Sequence, residues 1–81
     1  MGLYPIPANK ELNLELTINQ AQNITVGIYN LLGEVIETTS YQLEKGFNSI
    51  ELNISPLQEG AYLCTITTND GTNSRKFNVI K

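Results

Sequence analysis

The chain contains no histidine and no tryptophan, one cysteine (Cys64), one aspartate (Asp70) and four serines. Most of the residues from which nucleophiles, general bases and metal sites are built are therefore missing. One thiol cannot close an internal disulfide or supply a cysteine-based zinc site, so the redox compartment is not legible from it. Cys64 is expected to be a small core hydrophobe. No apolar run reaches about 18 residues and no charged-then-apolar leader occurs, so neither a membrane span nor a signal peptide is expected here. Cations are also scarce: five Lys plus Arg against eight Asp plus Glu give a net charge of −3. That balance argues against nucleic acid or an anionic membrane as partner.

What is present fits one small domain. At 81 residues a chain buries only about 60 % of the surface its unfolded form exposes, which leaves little material for a deep cleft. An enzyme of ordinary design is disfavoured, and neither cofactor nor metal is expected. The patterned sequence starts at Leu3 and runs to Lys81, with Met1-Gly2 reading as an added start. Residues 3–81 are thus expected to be a single domain from the end of something larger. Residues 1–70 hold every carboxylate against Lys10 and Lys45, whereas residues 71–81 hold Arg75, Lys76 and Lys81 with no acid. The last strand is the only basic segment, either a charged edge that discourages aggregation or a surface for a partner.

Period-two alternation dominates. Leu12, Leu14, Leu16 and Ile18 alternate with Asn13, Glu15 and Thr17, the pattern of a half-buried strand. Ile24, Val26 and Ile28 form a second such row. Asn30-Leu31-Leu32-Gly33 ends it, with Gly33 free to take the positive φ of a hairpin, and Glu34 to Ser40 returns as a β-branched strand. Gly46 opens a run with Ile50, Leu52 and Ile54 on one face, closed by Ser55-Pro56. Gly60 starts a last hairpin that turns at Asp70-Gly71 and ends near Ile80. With Asp70-Gly71 as the loop, Cys64 faces Phe77 and Tyr62 faces Val79. Tyr62, Cys64, Ile66, Phe77 and Val79 then point inward and Lys76 outward. Leu3-Tyr4-Pro5-Ile6-Pro7 is an extended lead-in suited to a sheet edge. The sum is up to seven short strands, an all-β antiparallel sandwich, with a small barrel as the alternative.

Sites with chemistry are thin. Glu34 with Glu37, or Glu11 with Glu15, would need to flank a groove with one pKa raised by burial, but both pairs fall at turns or on polar strand faces. Asn69-Asp70-Gly71 offers one carboxylate, far short of the six to eight oxygens calcium takes, so turn chemistry explains it better. Carbohydrate binding is the more serious rival. Of the six aromatics, Tyr4, Tyr29, Tyr41, Phe47, Tyr62 and Phe77, Tyr62 and Phe77 belong to the expected core, and Tyr29 and Tyr41 are the candidates for an outer-face platform. Asn23-Ile24-Thr25 and Asn53-Ile54-Ser55 match the N-glycosylation pattern but decide nothing without a compartment.

Three segments in order carry a resemblance. LYPIPANKELNLEL, with Tyr4, Pro5, Pro7 and Ala8, is followed by IYNLLGEVI, with Tyr29, Leu31 and Gly33, and by LQEGAYLCTITTNDGTNSRKFNVIK, which ends in Lys81. Together they resemble the type A C-terminal sorting domain of the type IX secretion system of Bacteroidota, across residues 3 to 81. Ile6 departs from the family's usual Asn, which puts the geometry of the first turn in question. The resemblance implies an Ig-like sandwich, no catalysis, and a fused passenger protein with its own Sec signal. It further implies passage through the periplasm, recognition by outer-membrane machinery, and delivery to the surface or medium. Removal by a sortase-like cysteine peptidase, with attachment to surface lipopolysaccharide, completes the expected route. The final hairpin is the expected signal: Gly60 and Gly71 for turn geometry, Tyr62 and Phe77 for anchoring, Arg75, Lys76 and Lys81 for contact, by side chains or by a free strand edge. The rival reading is an accessory carbohydrate-binding or spacer module of an extracellular enzyme.

Overall fold

A computed structural model describes residues 2–4 and 10–81. Pro5, Pro7 and Ala8 of the N-terminal motif lie outside the described residues, as does Ile6. Seven strands occur among the described residues: β1 (Gly2–Tyr4), β2 (Glu11–Ile18), β3 (Gln22–Asn30), β4 (Val35–Leu43), β5 (Gly46–Asn53), β6 (Gly60–Thr68) and β7 (Gly71–Val79). They form a three-stranded sheet ordered β1-β2-β5 and a four-stranded sheet ordered β4-β3-β6-β7, with every pairing antiparallel. The expected seven-stranded antiparallel sandwich is the observed architecture. The described part of the lead-in, within β1, lies at a sheet edge, with Leu3 opposite Leu14 and Gly2 opposite Glu15.

The alternating rows build the core. Leu12, Leu14 and Leu16 of β2 join Ile50 and Leu52 of β5, and face Ile24, Val26, Ile28, Tyr62, Cys64, Ile66, Phe77 and Val79 of the other sheet. Ile18, Leu43, Ile54 and Leu57 complete the cluster. Burying each such aliphatic side chain contributes about 1.5–3 kcal/mol before conformational entropy is charged against it. Tyr62 is buried without an orphaned hydroxyl, because its O–H donates to the Gln58 carbonyl at 2.6 Å. Its ring stacks on Phe77 with centroids 5.7 Å apart.

The last hairpin differs from the expected register by two residues. Tyr62 pairs with Phe77 and Cys64 with Arg75, and the final pair is Thr68 with Gly71, so Asn69 and Asp70 form the loop. The cause is dihedral. A two-residue loop of Asp70 and Gly71 in either primed form needs positive φ at its first residue, Asp70, but among the described residues only glycines have it. Gly71, at φ +128, takes the left-handed position just after the loop instead. The Asp70 N–H is satisfied by the Thr68 hydroxyl at 3.1 Å. Because the slip is even, each side chain stays on its expected face.

β4 is longer than expected, and it is irregular. Ile28 pairs with Glu37 but Tyr29 with Val35, leaving Ile36 as an extra residue in a bulge. The bulge turns Val35 to the outer face beside Tyr29 and points Ile36 toward the end of the sandwich, where it lines a cavity with Pro56 and Leu57.

Candidate recognition surface

The final hairpin places its three cations apart. Lys76 lies opposite Leu63 on the outer face of the four-stranded sheet and is exposed. Arg75 alternates onto the same side as Phe77 and Val79 but lies beyond the covered core, exposed, with Nη1 donating to the Ser74 carbonyl at 3.3 Å. Lys81 is tied down across the 55–59 loop. Its Nζ donates to the Ser55 carbonyl at 2.8 Å and its backbone N–H to Glu59 Oε1 at 3.1 Å. Arg75 and Lys76 are therefore the exposed cations of β7, while Lys81 closes the end of the sandwich. Gly60 opens β6 opposite Val79.

The turn motif is built around a residue that the spacing of apolar positions did not single out. Asn30 Oδ1 accepts from the N–H of Leu32 at 2.9 Å and of Glu34 at 3.0 Å, while its Nδ2 donates to Glu34 Oε1 at 2.7 Å. The Gly33 N–H donates to the Asn30 carbonyl at 3.1 Å, and Gly33 has φ +86. With Leu31 and Leu32 at negative φ, this is a type I turn locked by an asparagine at its first position. The signal was available: Asn before a two-residue turn that ends in Gly.

Tyr29 sits on the outer face between Val35 and Leu63. Its ring lies back over Gly27, where a Cβ would come within 2.8 Å of Tyr29 Cε1 and 2.9 Å of Thr65 Oγ1. Tyr41 pairs with Ile24 on the inner face and lines a cavity of about 30 Å³ with Val26, Ile28 and Leu52. Partial burial, followed by the neighbouring Glu37, raises its pKa. The two tyrosines thus lie on opposite faces of one sheet and cannot form a joint sugar platform.

Tyr4, the described member of the N-terminal motif, donates its hydroxyl to Glu15 Oε2 at 2.9 Å, and that hydrogen bond raises its pKa. Glu15 is thereby engaged. Glu11 lies four residues along the same strand, roughly 13 Å away at strand rise, so the two do not act as a pair. Glu34 is held by Asn30 on an exposed turn, and Glu37 stands exposed beyond the bulge. Neither pair flanks a closed groove.

The cysteine is inward as expected. Cys64 is fully buried, and desolvation pushes its thiol up to about 11.

A comparison with curated proteins finds no match. A family model described as "Secretion system C-terminal sorting domain" matches residues 2–81, the whole length of this sandwich. On that match the chain belongs to the family of C-terminal sorting domains that serve as type IX secretion signals.

Proposed function

We propose that this domain is a folded, non-catalytic address label whose readable part is the hairpin Gly60–Lys81. As a type IX sorting domain it works with the secretion machinery on behalf of a fused passenger, which goes to the cell surface or the medium. The finer steps belong to the proposal: transit through the periplasm, recognition at Arg75 and Lys76, and removal by a sortase-like cysteine peptidase during surface attachment. The observation that carries this reading is the placement of Arg75 and Lys76, exposed on an unbulged nine-residue edge strand of an otherwise acidic domain. Charge contrast of this kind steers encounter with a partner and fixes its register. Gly60 and Gly71 shape the hairpin, Tyr62 and Phe77 fasten it to the core, and Lys81 pins its end.

The test is export of a Sec-targeted fluorescent reporter fused ahead of the chain in a Bacteroidota host. Truncation after Gly71 is a poor variant, because it removes Phe77 and Val79 from the core. The pair Arg75→Glu, Lys76→Glu changes only exposed side chains and is expected to lower surface and medium reporter about tenfold, the equivalent of ~1.4 kcal/mol of lost recognition. Undiminished export by the folded charge-reversed fusion would refute the role of the hairpin.

A further inference from the structure

Four aliphatic side chains within six residues stand in water: Leu31 is 60 % exposed, Leu32 86 %, Val35 57 % and Ile36 44 %. Single exposed apolar residues are ordinary, but a cluster on one projection marks an interaction site. The projection is stiff. Asn30 holds the turn through three side-chain hydrogen bonds of 2.7 to 3.0 Å, and the backbone closes it from Asn30 N–H to the Glu34 carbonyl at 3.0 Å. A preorganised turn loses little freedom on docking. Leu31 and Leu32 sit at its tip, so the feature is a knob, and the pocket has to come from the partner.

Charge selects the kind of partner. Glu34 in the turn and Glu37 on β4 flank the knob, both exposed, and Glu59 borders the adjoining cavity with Asn30 and Ile36. Lys81, at the same end, has its ammonium on the Ser55 carbonyl. Lys76 is on the far edge of the sheet, three strand spacings or roughly 14 Å away. Two copies meeting through this turn would set Glu34 and Glu37 against their own equivalents. An anionic membrane would repel the same carboxylates.

Resting on the sorting reading, we propose that the β3–β4 turn is a docking knob whose Leu31 and Leu32 enter an apolar, basic-rimmed pocket on a protein of the export machinery. It is a second contact, separate from the basic edge of β7.

The experiment uses the reporter fusion in three further versions: Leu31→Ser with Leu32→Ser, Leu31→Met with Leu32→Met, and Glu37→Lys. Folding of each is checked by thermal melting. The serine pair is expected to lower export at least about tenfold without lowering the melting temperature, because a lost buried leucine contact is worth that much in affinity. The methionine pair should retain export, since it keeps an apolar side chain of similar volume. Glu37→Lys should lower export through its charge. A photo-crosslinking residue in place of Leu32 is expected to join an outer-membrane protein at a pocket lined by Lys or Arg.

Several results would overturn the proposal. An intact fusion that is not exported refutes the sorting reading and this inference with it. Normal export of the intact fusion and of the serine pair alike refutes the knob alone. Leucine-dependent dimerisation in sedimentation, or leucine-dependent flotation with phosphatidylcholine and phosphatidylglycerol vesicles, would assign the knob to a second copy or to lipid instead.

Discussion

Removing the Asn30 side chain tests how far one turn residue supports the domain. Asn30→Ala deletes three hydrogen bonds, at 2.9, 3.0 and 2.7 Å. All are exposed, so each contributes at the low end of the usual ~0.5–1.5 kcal/mol, and the total loss is about 1–2 kcal/mol. A domain of this size has about 4–12 kcal/mol to lose. The melting temperature should therefore fall by about 5–15 °C. Asn30→Asp is the sharper variant. It keeps the acceptor for the Leu32 and Glu34 N–H groups but replaces the donor to Glu34 with a second carboxylate at hydrogen-bond distance. Near pH 7 both are ionised and repel. One of the two must then have a folded-state pKa raised above its unfolded value of about 4. The stabilising shared proton is present below that unfolded value and lost as pH rises through the folded one. The gap between Asn30→Asp and the parent should accordingly be wide near pH 7 and narrow near pH 4. Urea unfolding at the two pH values reads this directly. An alanine variant as stable as the parent, or an aspartate variant whose deficit ignores pH, would refute the account of the turn.

Phe77→Ala removes the ring stacked on Tyr62 and should cost about 3–5 kcal/mol, read as a lower urea midpoint. Cys64 should resist a thiol reagent in the folded domain and react rapidly in urea; because its pKa is raised to about 11, stability is kept below the unfolded thiol value and falls as pH climbs toward 11. Since Tyr29 and Tyr41 face opposite ways, affinity electrophoresis against plant and bacterial polysaccharides should show no retardation; a band lost on Tyr29→Ala would reverse that conclusion.

The sandwich was legible because most strands bury one face, and burial writes itself into a sequence as alternation. Every residue of the expected core is buried: Leu12, Leu14, Leu16, Ile24, Val26, Ile28, Ile50, Leu52, Ile54, Tyr62, Cys64, Ile66, Phe77 and Val79. What alternation does not encode was missed. Leu57 is buried from a loop, where no period exists to reveal it. Alternation carries β4 only to Ser40, because its inward row is Glu37, Thr39, Tyr41 and Leu43, mostly polar, and because the bulge at Ile36 reverses the parity midway. The two-residue slip of the last hairpin was invisible for a different reason: an even shift leaves the inward set unchanged, and only the φ values at Asn69, Asp70 and Gly71 decide between the registers. The candidate surface was legible in part. The basic segment shows in the composition, but the tether of Lys81 to Ser55 and Glu59 joins residues 22 to 26 positions apart, which no local pattern reports.

The four sheet edges show how the basic strand can protect and inform at once. β1 is three residues long, β4 is bulged, and β5 carries the exposed Glu51. β7 pairs with β6 over nine residues without a break, a long regular edge of the kind open to unwanted pairing, and Arg75 and Lys76 lie on it. Edge charge of either sign discourages self-pairing, whereas recognition by a partner depends on the sign. Two double variants separate the roles. Arg75→Thr with Lys76→Thr keeps strand propensity but strips the charge, so it should both aggregate and lose export. Arg75→Glu with Lys76→Glu restores a charged edge, so it should stay monomeric in light scattering yet lose export. If the glutamate pair were exported as well as the parent and only the threonine pair failed, the cations would be edge protection alone and the signal would have to lie elsewhere on the domain.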